Sequence, residues 1–124
     1  MDFSSRQFAD VVVAAPVGRI DHAAAGELER SVMPLLPHAG SGVGGVILDF
    51  AGVDYISSVG LRVLMIAAKH ARAHASRIAV TALQPVVAEI FAISRFDNVV
   101  EVFPAVRDAL AAFSAPALAA FDAG

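Results

Sequence analysis

Polar and apolar positions alternate early in the chain. Two short β-type runs, Arg6 to Phe8 and Val11 to Ala15, flank Ala9-Asp10 and predict an N-terminal hairpin or strand pair. Gly18-Arg19-Ile20-Asp21 then turns the chain, and Asp21 stands where a side chain caps a helix from about Ala23 to Met33. Leu28, Val32 and Leu35 recur there at helical spacing, and Pro34 and Pro37 end the segment. His38 to Gly45 is glycine-rich and reads as a flexible connection. Val46 to Phe50 is a continuous apolar run, as a parallel strand buried on both faces requires.

The next segment, Tyr55-Ile56-Ser57-Ser58-Val59-Gly60-Leu61, opens a helix pattern that lasts to about His74. Leu61, Leu64, Met65 and Ala68 form its predicted inner face, and Arg62, Lys69 and Arg72 fall elsewhere on its surface. Arg77 to Thr81 predicts a strand, Pro85 a helix through Val86, Ile90 and Ile93, and Val99 to Phe103 the last strand. Pro104 opens a final helix carrying Val106, Leu110 and Phe113, with Asp108 in its first turns. From Ser114 to Gly124 the chain is alanine-rich and weakly periodic, which predicts a fraying tail. The expected organisation is one domain over 1–113 and a tail over 114–124. Strand and helix units after a starting strand pair indicate an α/β fold, a mixed β-sheet covered mainly on one face by about four helices.

Composition narrows the possible functions. With 57% hydrophobic and 17% charged residues in 124, the chain has the material for a filled core. A net charge of −3 and only nine scattered Lys and Arg give no basic field for nucleic acid. The absence of cysteine removes disulfides, thiolate nucleophiles and cysteine-based metal sites. The run Val11 to Val17 follows Asp2 and Asp10 without a basic start, so it reads as a strand and not as a signal peptide. No charge-free apolar run is long enough for a membrane span, and a soluble, cytoplasmic protein without direct membrane insertion is expected.

Few motifs carry chemistry. Gly40, Gly42 and Gly45 match G-x-G-x-x-G, but they follow a helix and precede a strand, the reverse of a dinucleotide cradle. His70 and His74 share a helix face without a third ligand, and a solvated helix end accounts for them. His22 and His38 sit in loops without a paired nucleophile. Asp49 and Asp54, five apart around a strand end, read as turn-capping carboxylates. Ser58 lacks the G-x-S-x-G elbow of a hydrolase. No catalytic, cofactor or metal site is expected, and the protein is not expected to be an enzyme. Ser57 and Ser58 do lie at a strand-to-helix junction, where backbone N–H groups and the helix dipole suit an anion. From local chemistry alone, helix capping worth about 1 kcal/mol accounts for both serines.

From Gly18-Arg19-Ile20-Asp21 through Val46-Ile47-Leu48-Asp49-Phe50 and Val53-Asp54-Tyr55-Ile56-Ser57-Ser58-Val59-Gly60-Leu61-Arg62-Val63-Leu64, the chain resembles STAS domains. It is similar to the single-domain anti-sigma factor antagonists, or anti-anti-sigma factors, among them. In that family the serine two positions before the Gly-Leu pair is phosphorylated by a partner that is both a GHKL-type serine kinase and an anti-sigma factor. The position is Ser58 here, with Ser57 second in rank; the family's usual Asp before it is Ser57, and Val59 follows it. The resemblance implies partner switching in transcription regulation. The unphosphorylated antagonist binds the anti-sigma kinase, phosphorylation reverses this, and a PP2C-type phosphatase restores binding. It also implies a partner surface over the Gly18 to Asp21 turn, the serine loop and the outer side of the following helix, with Asp21, Tyr55, Ser57, Arg62 and Lys69 as contacts. The alternative within the family is a non-phosphorylated scaffold subunit of a membrane lipid-transport or transporter complex.

Overall fold

In the computed structural model, which describes residues 1–38 and 40–124, the N-terminal hairpin is longer than its sequence pattern predicts. β1 (Asp2–Phe8) pairs antiparallel with β2 (Val11–Ile20), and Ala9 makes the turn at a left-handed φ of 52°. β2 runs straight through Pro16 and Gly18, where a turn is expected from composition. The first part of β2 pairs in parallel with β3 (Gly45–Asp49), and its last residues pair in parallel with β4 (Val53–Ile56). The changeover falls at Gly18, whose φ of +112° suits a residue without Cβ, and its N–H donates to Gly52 O at 2.8 Å.

The first three helices each return the chain to the sheet. α1 (His22–Val32) follows β2 and α2 (Ser58–Ala73) follows β4; β5 (Arg77–Thr81) and β6 (Glu101–Phe103) extend the sheet in parallel beyond β3. α3 (Pro85–Ile93), α4 (Val106–Phe113) and α5 (Ala115–Ala123) complete the described residues, with 3₁₀ turns at Met33–Leu35 and Phe96–Asn98. The spatial order is β1-β2-β3-β5-β6, with β4 attached to the end of β2. The mixed sheet and the α/β class agree with expectation, and five helices stand where the periodicity predicts about four.

Both faces of the sheet are buried, which explains the unbroken apolar run of β3. Val46 and Leu48 point into the larger core with Val12, Leu28, Leu64 and Phe91; Ile47 points the other way, toward Leu110 and Ala117. α1, α2 and α3 supply the larger cluster, and α4 and α5 the smaller. The tail is the extra helix. Ser114 Oγ accepts from Ala117 N at 3.2 Å and donates to Asp10 Oδ1 at 2.7 Å, and Phe121 meets Phe8 edge-on at 5.4 Å. Two ion pairs brace this side, Arg77 to Glu101 and Arg107 to Asp122. Hydrogen bonds to those carboxylates hold both guanidiniums above their ordinary value.

Of the predicted inner face of α2, Leu61, Leu64 and Ala68 are buried and Met65 is not. Met65 is 37% exposed, whereas Gly60, Leu61, Val63, Leu64, Ala67, Ala68 and Ala71 are the buried residues of α2. On α3 the buried residues are Val87 and Phe91, and Val86 and Ile93 are exposed by 53% and 75%. α3 is apolar almost all round, so periodicity cannot choose its inner face. In the last strand, Val99 and Val100 belong to the approach from the 3₁₀ turn and not to β6. Of the predicted His38 to Gly45 connection, Ala39 lies outside the described residues.

Candidate functional site: the paired strand-to-helix junctions

β2 and β4 run parallel with Arg19 beside Tyr55 and Ile20 beside Ile56, and each strand feeds directly into a helix. Two helix N-termini therefore lie side by side at one end of the sheet. Asp21 caps the first: its carboxylate accepts from Ala24 N at 2.9 Å. Ser57 caps the second, where its Oγ accepts from Gly60 N at 3.2 Å. The Ser57 N–H donates to Ile20 O at 2.8 Å and so ties the two junctions together.

The adjacent serines differ in state. Ser57 is half-buried and its hydroxyl is engaged in the cap. Ser58, the first residue of α2, is exposed, and no side-chain hydrogen bond among the described residues engages it. Its oxygen is available to a reagent from solvent, whereas modifying Ser57 would cost the cap. Gly60 holds this geometry. A Cβ there would stand 2.7 Å from Ile56 Cγ1 and 2.9 Å from Ile20 Cγ2, so only glycine lets the first turn of α2 sit on both strand ends.

Around the serines the surface is mixed in character. The Arg19 guanidinium lies 4.0 Å from the Tyr55 ring centroid, a cation–π contact that keeps Tyr55 half-buried. Ser58, Arg62, Met65 and Lys69 recur at helical spacing along the outer stripe of α2, and all four are exposed. Glu29, Val59, Arg62, Val63 and Ile66 line a groove of about 230 Å³ beside that stripe. Of the contacts the resemblance implies, Asp21 is committed to its cap and Tyr55 lies under Arg19. Ser57 is the second cap; Arg62 stands one turn after the exposed Ser58 on α2, and Lys69 stands about three turns after it. Arg19, Met65 and Ile66 went unmarked as individual site residues. An apolar residue on an amphipathic helix reads as core, and only the inner stripe of small residues reveals that α2 turns Met65 outward.

The other motifs serve structure. Asp49 Oδ1 accepts from Ala51 N at 3.0 Å in the turn after β3. His70 and His74 stack at 4.2 Å, with His70 Nε2 2.9 Å from Pro37 O and His74 Nδ1 2.9 Å from His70 O. Among the described residues no group of three or more His, Cys, Asp or Glu is placed to hold a metal ion, and no helix is long and apolar enough to cross a membrane.

A family model described as the STAS domain matches residues 3–109. The chain belongs to the STAS domain family. BtrV of Bordetella bronchiseptica, named as a candidate anti-sigma factor antagonist, is 35% identical over 103 residues, covering 83% of this chain and 86% of that protein. In fold, this STAS domain is similar to an anti-sigma factor antagonist from Mycobacterium paratuberculosis, with a TM-score of 0.77 at 23% identity over 90% of this chain and 93% of that one. It is also similar to the phosphorylated form of the Bacillus cell fate determinant SpoIIAA, with a TM-score of 0.66 at 17% identity over 90% and 98% of the two chains.

Proposed function

We propose that this STAS domain is an anti-sigma factor antagonist, switched off by phosphorylation of Ser58. It binds an anti-sigma factor that is also a GHKL-type serine kinase, and so frees a sigma factor for transcription in the cytoplasm. The observation that carries this reading is the division of labour between Ser57, locked into the cap, and Ser58 one residue later, exposed and with no side-chain hydrogen bond among the described residues. The name of BtrV and the phosphorylated state of SpoIIAA support it.

In the transfer, Ser58 Oγ attacks the γ-phosphorus of ATP held by the kinase. The bond to the β,γ-bridging oxygen breaks, ADP leaves, and the hydroxyl proton passes to a base on the kinase or to solvent. This domain is substrate and ligand and supplies no catalytic group. The phosphoryl group adds about −1.5 to −2 charge. Placed in the middle of a protein interface, that charge brings desolvation and like-charge penalties that oppose binding. A PP2C-type phosphatase hydrolyses the ester and restores binding.

Mapping phosphopeptides of the protein recovered from its own cells tests the assignment. A phosphoryl group on Ser58 that disappears in Ser58→Ala is expected. Phosphate on Ser57 alone, or on neither serine under any growth condition, would overturn it.

A further inference from the structure

Ser58 and Arg62 stand at i and i+4 on α2, one turn apart on the same outer stripe. Long side chains on a helix lean back toward its N-terminus, which brings a side chain at i+4 within reach of the residue one turn before it. Arg62 is exposed, and among the described residues no ion pair and no side-chain hydrogen bond engages it. Glu29 from α1 lines the same groove but makes no ion pair with it. The remaining charged groups of the junction are Arg19 on β2, stacked on Tyr55, Asp21 in its cap, and Asp54, exposed on β4. The cation nearest to Ser58 along its own helix is thus uncommitted.

We infer that Arg62 is the internal receptor for a phosphoryl group on Ser58. The inference rests on the phosphorylation reading and adds what the phosphate does once formed. An acidic group four residues before a cation is the favourable order on a helix. A phosphate with three acceptor oxygens also matches the planar fork of a guanidinium, which can bind it through two parallel hydrogen bonds. Phosphorylation then changes the partner face twice: it adds negative charge at Ser58 and draws Arg62 away from the partner. The covalent phosphate persists after the kinase has left, and the Arg62 contact fixes its orientation without any partner present.

The test uses phosphoserine installed at position 58 during translation, which needs neither kinase nor partner. The second ionisation of the phosphate is followed by ³¹P NMR in the parent protein and in Arg62→Gln, Arg62→Lys and Glu29→Gln. A nearby cation favours the dianion, so Arg62→Gln is expected to raise the midpoint by roughly 0.3 pH unit or more. Arg62→Lys should recover part of the shift, and molar salt should shrink it. Glu29→Gln should leave the midpoint unchanged or lower it. Coincident titrations of the parent and Arg62→Gln would overturn the inference, as would a midpoint that rises with Glu29→Gln and not with Arg62→Gln. Phosphate missing from Ser58 in cells would remove the proposed function, while this titration would still read the Arg62 contact.

Discussion

The two junctions at the end of the sheet are built alike and charged differently. Both follow a parallel strand, both are capped by a side-chain oxygen, and neither helix has an acidic residue in its first turn. At α1 the cap is Asp21, which places a fixed negative charge on the positive end of the helix dipole. At α2 the cap is the neutral Ser57, and the next residue is a free hydroxyl. One junction carries a carboxylate at its cap, and the other carries two neutral hydroxyls, of which Ser58 is the one proposed above to be modified. The third residue after each cap differs as well, Ala24 in α1 and Gly60 in α2. The glycine lets the first turn of α2 sit close against Ile20 and Ile56, and this fixes where Ser58 stands.

The largest effect is expected where the junctions differ in space. Gly60→Ala forces a Cβ into Ile56 and Ile20 and should destabilise the fold by about 1–3 kcal/mol in urea denaturation; an unchanged midpoint would mean that α2 is not held as described. Next come the caps. Asp21→Ala and Ser57→Ala should each cost about 1 kcal/mol, because each leaves one helix N–H without its acceptor. A large loss for one and none for the other would break the likeness between the junctions. Arg19→Ala removes the stack on Tyr55 and should cost about 0.5 kcal/mol in the same assay, with a change in Tyr55 fluorescence. Ser58→Ala should be smallest, within about 0.5 kcal/mol of the parent. A cost as large as that of Ser57→Ala would make Ser58 a structural residue and erase the contrast.

Much of this site is legible in local sequence because capping and helix initiation are local chemistry. Asp21, the paired serines and Pro85 all act within a turn of their own backbone, and the apolar run of β3 states its two-sided burial directly. β4 is not legible in this way. It has four residues, only Val53 and Ile56 of them buried, and it exists by pairing with the far end of β2 after the turn at Gly52. Its position is a long-range fact, and so is the adjacency of the two helix N-termini. The same holds for α5, whose alanines carry no preferred face. That helix is defined by the Ser114 cap, the Ser114 to Asp10 hydrogen bond and the contact of Phe121 with Phe8. Met65 went unread for the opposite reason: a helix rich in apolar residues offers more than one plausible inner face, and the sheet selects the one lined by small residues.

Affinity capture from native lysate, with parent, Ser58→Ala and Ser58→Asp baits compared by quantitative mass spectrometry, tests the switch most directly. The account predicts a GHKL-type kinase retained by the parent and by Ser58→Ala and lost with Ser58→Asp. Equal retention of that kinase by all three baits would contradict it, as would transporter subunits bound equally to all three, the outcome expected of a scaffold that has no use for the hydroxyl of Ser58.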